Sequence, residues 1–336
     1  MRYYLSTDKH KRTFSDWPTM LSTLIICLLC WIAGYYSSLG FPLTTDHTVL
    51  PFIETIYQWV ESKLLTYIIG ISLLLFMAFI IQRICDIEML ISERTRLVFL
   101  FFVLLMSTHA GLLPFKEVTL VLLCMVLVIY ALFNVYQQPE ATGKMFNAGV
   151  YLGIAGLFMP QALWFVPLLW MGMYQFLTLS YRSFVASLLG VLTIYWIVLG
   201  WCVWTHDYSM FTLIYSSLKE VDFLSVFLSF RYYQLGFFIV LLLVFVAFFH
   251  IKMDAMNNRV RVRQMLSFLI YMSIWSLALV CIYSADADAF IVLFYLPVSI
   301  IMAYFFENLK ARFRFLLFYL VLAINAFSFM LRLWNY

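Results

Sequence analysis

Long stretches without a single charged side chain recur along the chain, and nothing else in the sequence constrains its fold as tightly. Residues 145–181 contain no Asp, Glu, Lys or Arg, and neither do 118–139, 183–206 or 232–251. A helix crossing the roughly 30 Å hydrocarbon core of a bilayer needs about 20 predominantly apolar residues. Backbone polar groups there must bond within the spanning segment, so runs of this length read as helices. Composition agrees, with 65% of residues hydrophobic and 11% charged, against about 45–50% and 25% in soluble domains. A water-soluble globular fold and a disordered chain are both excluded.

The expected fold is an all-α polytopic bundle of about eleven spans. They lie near 18–39, 64–82, 97–113, 117–136, 145–159, 161–179, 184–204, 233–250, 265–283, 288–306 and 313–332. Hydropathy alone leaves 145–179 open, as two short spans or as one long tilted helix with an interfacial piece. The positive-inside rule separates the two. With the N-terminus inside and eleven crossings, the inner segments hold sixteen of the 21 basic residues, among them Arg83, Arg94, Arg96, Lys144, Arg182, Arg259, Arg261, Arg263 and Arg314. Merging 145–179 into one span would export the arginine-rich loop at 259–263. The organisation expected is therefore a basic cytoplasmic N-terminus (1–17), a membrane module (18–205) with an exported loop at 41–63, an exported interfacial loop (206–232) and a C-terminal four-helix segment (233–336). The C-terminus falls outside.

Both long exported loops carry amphipathic patterns suited to the interface. In the first, Phe52, Ile53, Ile56, Tyr57 and Val60 oppose Glu54, Gln58 and Glu61. In the second, Phe211, Ile214, Tyr215 and Leu218 share a face. Five of the six cysteines fall in apolar runs and Cys85 lies just past one, so they read as packing residues rather than a disulfide or metal framework. The scattered basic residues make no nucleic-acid-binding face.

No Asp, Glu, Lys or Arg lies near the middle of any span, which disfavours an ion-coupled or proton-coupled pathway and leaves lipid or solute transport a weak alternative. A deep polar group such as Asn325 reads as interhelical hydrogen-bonding glue. The remaining polar residues gather at the outer face, where Asp46, His47, Glu54, His109, Lys219, Arg231, Asp286 and Asp288 are the candidates for chemistry. Asp286 and Asp288, two residues apart, could share a Mg²⁺ or Mn²⁺ ion with a diphosphate. Motifs for phosphate loops, zinc proteolysis and serine acyl transfer are absent.

The stretch 146–204, FNAGVYLGIAGLFMPQALWFVPLLWMGMYQFLTLSYRSFVASLLGVLTIYWIVLGWCVW, resembles the middle of the GT-C glycosyltransferase superfamily. There a short glycine-bearing helix (Gly149, Gly153, Gly156) ends at an exported turn. A helix with a mid-span proline (Pro167) then returns to a cytoplasmic arginine (Arg182), and another span follows. The front end is similar in plan, with one span followed by an exported loop that carries an acid, Asp46. The resemblance covers roughly 18–205 and implies an inverting transferase using a polyprenyl-phosphate-linked sugar. Asp46 would be the general base or help hold a metal, with His47 and Glu54 beside it, and Arg231, Lys219 or His109 would hold the lipid phosphate. The chain departs from the family's acidic pair, since His47 follows Asp46 and no second acid appears before Glu54. As a whole the chain also resembles a bacterial family of multi-pass membrane proteins, which implies the inner membrane and membrane lipids as partners but no particular activity. A non-catalytic subunit docking an envelope protein is the competing expectation.

Overall fold

The computed structural model describes residues 17–38, 62–91, 95–107, 114–138, 141–206, 208–219, 235–254, 259–283, 286–309 and 311–334. Among them the protein is helical without strands. In chain order the helices are α1 (Trp17–Tyr36), α2 (Lys63–Ile87), α3 (Leu97–Ser107), α4 (Glu117–Phe133), α5 (Thr142–Phe158), a 3₁₀ turn (Pro160–Phe165), α6 (Val166–Gln175), α7 (Tyr181–Thr205), α8 (Ser209–Lys219), α9 (Leu235–Asp254), α10 (Val260–Ile282), α11 (Ala287–Asn308) and α12 (Ala311–Trp334). Six of these, α1, α2, α7, α10, α11 and α12, are long and apolar enough to cross a membrane. Helices α3 and α4 and the segment Gly236–Ile251 of α9 are shorter apolar helices.

A helix that is apolar on every side has no solvent face and belongs in the interior. That is where α3 and α11 lie. In α3 every residue except Phe99 is buried, and 94% of the spanning window of α11 is buried against 17% in α7. Helices α3, α4, α9 and α10 pack on α11. Interior hydroxyls bond within their own helices, Ser273 to the Ile270 carbonyl (2.7 Å) and Ser299 to that of Leu296 (2.8 Å), whereas the buried Thr119 hydroxyl has no partner among the described residues. Asn325 donates from Nδ2 to the Val321 carbonyl of its own helix (2.8 Å).

Helix α7 lies at the rim and is held chiefly by α5. A Cβ at Gly149 would overlap the Ser187 carbonyl, and one at Gly190 would overlap the Phe146 carbonyl, so the two backbones touch. Small residues permit this approach where no hydrophobic drive operates between helices. On its outer side α7 exposes Tyr181 at one end and Trp201 and Trp204 at the other. These lie about 30–35 Å apart along the axis, the spacing of aromatic belts at the two faces of a bilayer.

The segment 142–176 reverses direction. The Gln137 N–H, just before α5, donates to the Phe176 carbonyl at the end of α6 (3.0 Å), and the Tyr136 and Phe176 rings touch. The chain therefore runs out along α5 and returns through the 3₁₀ turn and α6 to the end it left. Against the eleven spans expected, six helices among the described residues are long and apolar enough to cross a membrane, and a local detail differs too. Expected as one helix with Pro167 at mid-span, 161–179 is instead a 3₁₀ turn followed by α6, with Pro167 in its first turn. Proline lacks an N–H to donate and is tolerated at that position. The expected interfacial helix at 52–61, the N-terminal 1–16 and the end of the third span at 108–113 lie outside the described residues.

Replacing Gly149 with Ala is expected to destabilise the protein by about 1–3 kcal/mol through overpacking. At Gly200, where a Cβ meets nothing within 4 Å, the same change should be neutral or stabilising by up to about 1 kcal/mol. Thermal unfolding of both variants in one detergent checks the contrast.

Candidate functional site

Contacts at helix termini sort the segments into two ends. At the basic end, Arg261 at the start of α10 pairs with Glu88 at the end of α2 and stands 5.5 Å from the centre of the Tyr136 ring. Gln175 of α6 donates to the Gln264 carbonyl (2.8 Å). At the opposite end, Lys63 donates to Ser38 Oγ (2.6 Å) and lies over the Tyr35 ring, which ties the exit of α1 to the entry of α2. There too the Phe115 N–H meets the Thr66 carbonyl (3.0 Å) and Trp31 Nε1 meets Ser107 Oγ (2.8 Å).

The most connected polar group at that opposite end joins three segments remote in sequence. Gln161, 5% exposed, lies in the 3₁₀ turn and donates from Nε2 to Asp286 Oδ2 (3.0 Å) and at longer range to the Ser217 carbonyl of α8 (3.4 Å). Trp164 Nε1 donates to the Tyr283 hydroxyl (2.8 Å), which donates onward to the Leu218 carbonyl (3.0 Å). Trp275 Nε1 meets the Trp164 carbonyl (2.8 Å). This chain pins α8 across the 3₁₀ turn and the α10–α11 junction. Ile214 of α8 is buried and Phe211 and Leu218 are half-buried, while Tyr215, expected on the same face, is exposed.

Of the residues singled out from sequence, Asp286 is in this cluster and Lys219 adjoins it along the chain. Asp286 is half-buried and bonded to Gln161, and Lys219 is the exposed last residue of α8, next to Leu218. Asp288 is exposed in the first turn of α11, where the helix dipole favours a carboxylate. Among the described residues no three or more His, Cys, Asp or Glu side chains come together. The Asp286/Asp288 pair would need further ligands from elsewhere to hold a cation. Asp46, His47, Glu54, His109 and Arg231 lie outside the described residues. The described residues flanking each of them, Ser38 and Ser62, Ser107 and Pro114, and Lys219 before 220–234, are at this same end. Sequence reading passed over Gln161, Trp164 and Tyr283; the available signal was a lone Gln after Pro160 in an otherwise apolar run.

Comparison with protein-family models, with curated proteins and with solved structures finds no match. The arrangement is therefore judged on its chemistry. The cluster offers a carboxylate (Asp286), a phenol and two indoles, with Asp288 and Lys219 exposed beside it. Its hydrogen bonds join the 3₁₀ turn, α8 and the α10–α11 junction.

Burial raises the Glu88 carboxyl above its usual range, and Arg261 pulls it back only in part. A carboxyl whose folded pKa is raised favours the folded state at low pH and loses that advantage as pH rises through the folded value. Wild type should therefore lose stability relative to Glu88→Gln as pH is raised from about 4 toward 7, measured by thermal unfolding across that range. At the opposite end, Tyr283→Phe removes both bonds of the hydroxyl, at about 1–3 kcal/mol. It should speed amide hydrogen exchange over 209–219 and leave α3 unchanged.

Proposed function

We propose that the chain is a bacterial inner-membrane protein that crosses the bilayer eleven times, with its N-terminus cytoplasmic and C-terminus outside, and acts at the outer face as a GT-C-like glycosyltransferase. One observation carries this reading. Asp286, Asp288 and Lys219 lie at the end opposite the Glu88–Arg261 pair, and so do Ser38, Ser62, Ser107 and Pro114, the described residues that flank Asp46, His47, Glu54 and His109 in sequence. The return of α6 beside the start of α5 supports the eleven-crossing count. It brings Arg182 back to the basic end before α7 crosses again.

In the proposed reaction a donor sugar on a polyprenyl phosphate meets an acceptor hydroxyl at the outer interface. Asp46 takes the hydroxyl proton and the acceptor oxygen bonds to the anomeric carbon. The bond from that carbon to the phosphate oxygen breaks, and polyprenyl phosphate leaves carrying the electron pair. Lys219 and Arg231 stabilise the charge on the departing phosphate. A carboxylate in a half-dry interface has the raised basicity this role needs.

A second reading, a non-catalytic subunit of an envelope assembly, is favoured by the way Gln161, Trp164 and Tyr283 are spent on one another and on α8. Asp46→Asn separates the two. The transferase reading predicts loss of the envelope-glycan phenotype of the wild-type gene at unchanged protein abundance. Full function of that variant, with a stoichiometric partner co-purifying, would establish the subunit reading instead.

A further inference from the structure

Helices α9 and α10 are consecutive, and neighbours in sequence usually pack together. Here they make little direct contact. Helix α9 packs on α11 and α12, while α10 packs on α11 and α6. Between them, floored by α11, a crevice of about 490 Å³ remains. That volume lies within the range of small-molecule sites, about 300–1,000 Å³.

Three observations identify what fills it. The first is depth. The lining runs from Leu241 to Phe248 on α9 and from Phe294 to Ile301 on α11, which are the central turns of both helices, about 10 Å along the axis. In the proposed topology this is the middle of the bilayer. The second is chemistry. Every lining residue is apolar except Ser273, and that hydroxyl is turned onto the Ile270 carbonyl of its own helix (2.7 Å). Nothing in the crevice can hold water, which needs two to four polar partners, and nothing can orient a polar ligand. The third is continuity. The lips Leu242, Phe245 and Ile274 are each more than half exposed, so the crevice opens onto the apolar outer surface of α9 and α10. A void open to hydrocarbon forfeits dispersion contacts until hydrocarbon enters, and acyl chains are the medium at that depth.

We infer that this crevice is a binding site for one acyl chain of a membrane phospholipid, which completes the packing between α9 and α10. The occupant substitutes for the missing α9–α10 contact, so the lipid is part of the fold in this region. The inference does not depend on the transferase reading, because the crevice lies at mid-span and contains none of the candidate catalytic residues.

The test uses the full chain in nanodiscs of a phosphatidylglycerol that carries a diazirine near the end of one acyl chain, followed by peptide mapping of the crosslinks. Native mass spectrometry after transfer to mild detergent gives a second readout. Crosslinks are expected to concentrate on 241–248 and 270–277, and one phospholipid should survive transfer. Leu277→Trp, which fills the crevice, should cut retained phospholipid about tenfold without lowering the melting temperature. Ser273→Leu provides the same test from a smaller residue should the tryptophan fail to fold. Crosslinks spread evenly over lipid-facing helices such as α7, retention unchanged in the filled variants, or protection of the crevice only in a dimer of two chains would each overturn the assignment.

Discussion

Charge is admitted only near the helix ends of this protein, and the rest of the architecture follows from that restriction. Among the described residues each Asp, Glu, Lys and Arg lies in or beside the first or last two turns of a helix. A charge at the bilayer centre costs about 2.5–3.5 kcal/mol even on insertion scales. The helix interiors therefore associate mainly by shape, with an uncharged bond such as that from Trp170 Nε1 to Ser187 Oγ (3.2 Å) between α6 and α7. The result is a core in which α3 and α11, apolar on all sides, are surrounded by helices that show lipid one face, and a rim where α7 is held by glycine contact with α5. Specificity of assembly passes to the termini, where Glu88 with Arg261, Lys63 with Ser38 and Gln161 with Asp286 join segments far apart in sequence.

Much of this was legible before the structure. Uninterrupted apolar runs located the helices, because in hydrocarbon a backbone has few other ways to bond. The bias of Lys and Arg put the segments 83–96 and 259–263 on one side, and Glu88 and Arg261 of those segments are paired; the ends of 142–176, likewise placed on one side, also meet. Local chemistry was harder to foresee. Pro167 was expected at mid-span of one helix, since hydropathy does not distinguish a continuous helix from a 3₁₀ turn followed by a new helix. Gln161, Trp164 and Tyr283 were invisible as a group because their meeting depends on packing between residues more than a hundred positions apart. The crevice beside α11 leaves no sequence trace either, because a lining of Leu, Phe and Ile reads the same whether filled by protein or by lipid.

For function, the arrangement separates, among the described residues, a packed, charge-free interior from one end that holds Asp286, Asp288 and Lys219. Asp286 belongs to a hydrogen-bonded platform formed by the 3₁₀ turn, α8 and the α10–α11 junction, and Lys219 is the exposed last residue of α8. The acid proposed as general base, Asp46, belongs to a segment whose flanks, Ser38 and Ser62, are tied together at the same end through Lys63. A transferase drawing lipid-borne substrate from the bilayer and a subunit docking an envelope partner would both use such a face. They differ in whether a carboxylate there moves a proton.

All of this rests on the direction in which the chain threads the membrane, and a reporter fused after Tyr336 tests that most directly. Eleven crossings from a cytoplasmic N-terminus place Tyr336 outside, so an alkaline phosphatase fusion there should be active and a fluorescent-protein fusion that folds only in the cytoplasm should be dark. The reverse pattern, a dark phosphatase and a bright fluorescent protein, would contradict the eleven-crossing threading and with it the assignment of the candidate residues to the outer face.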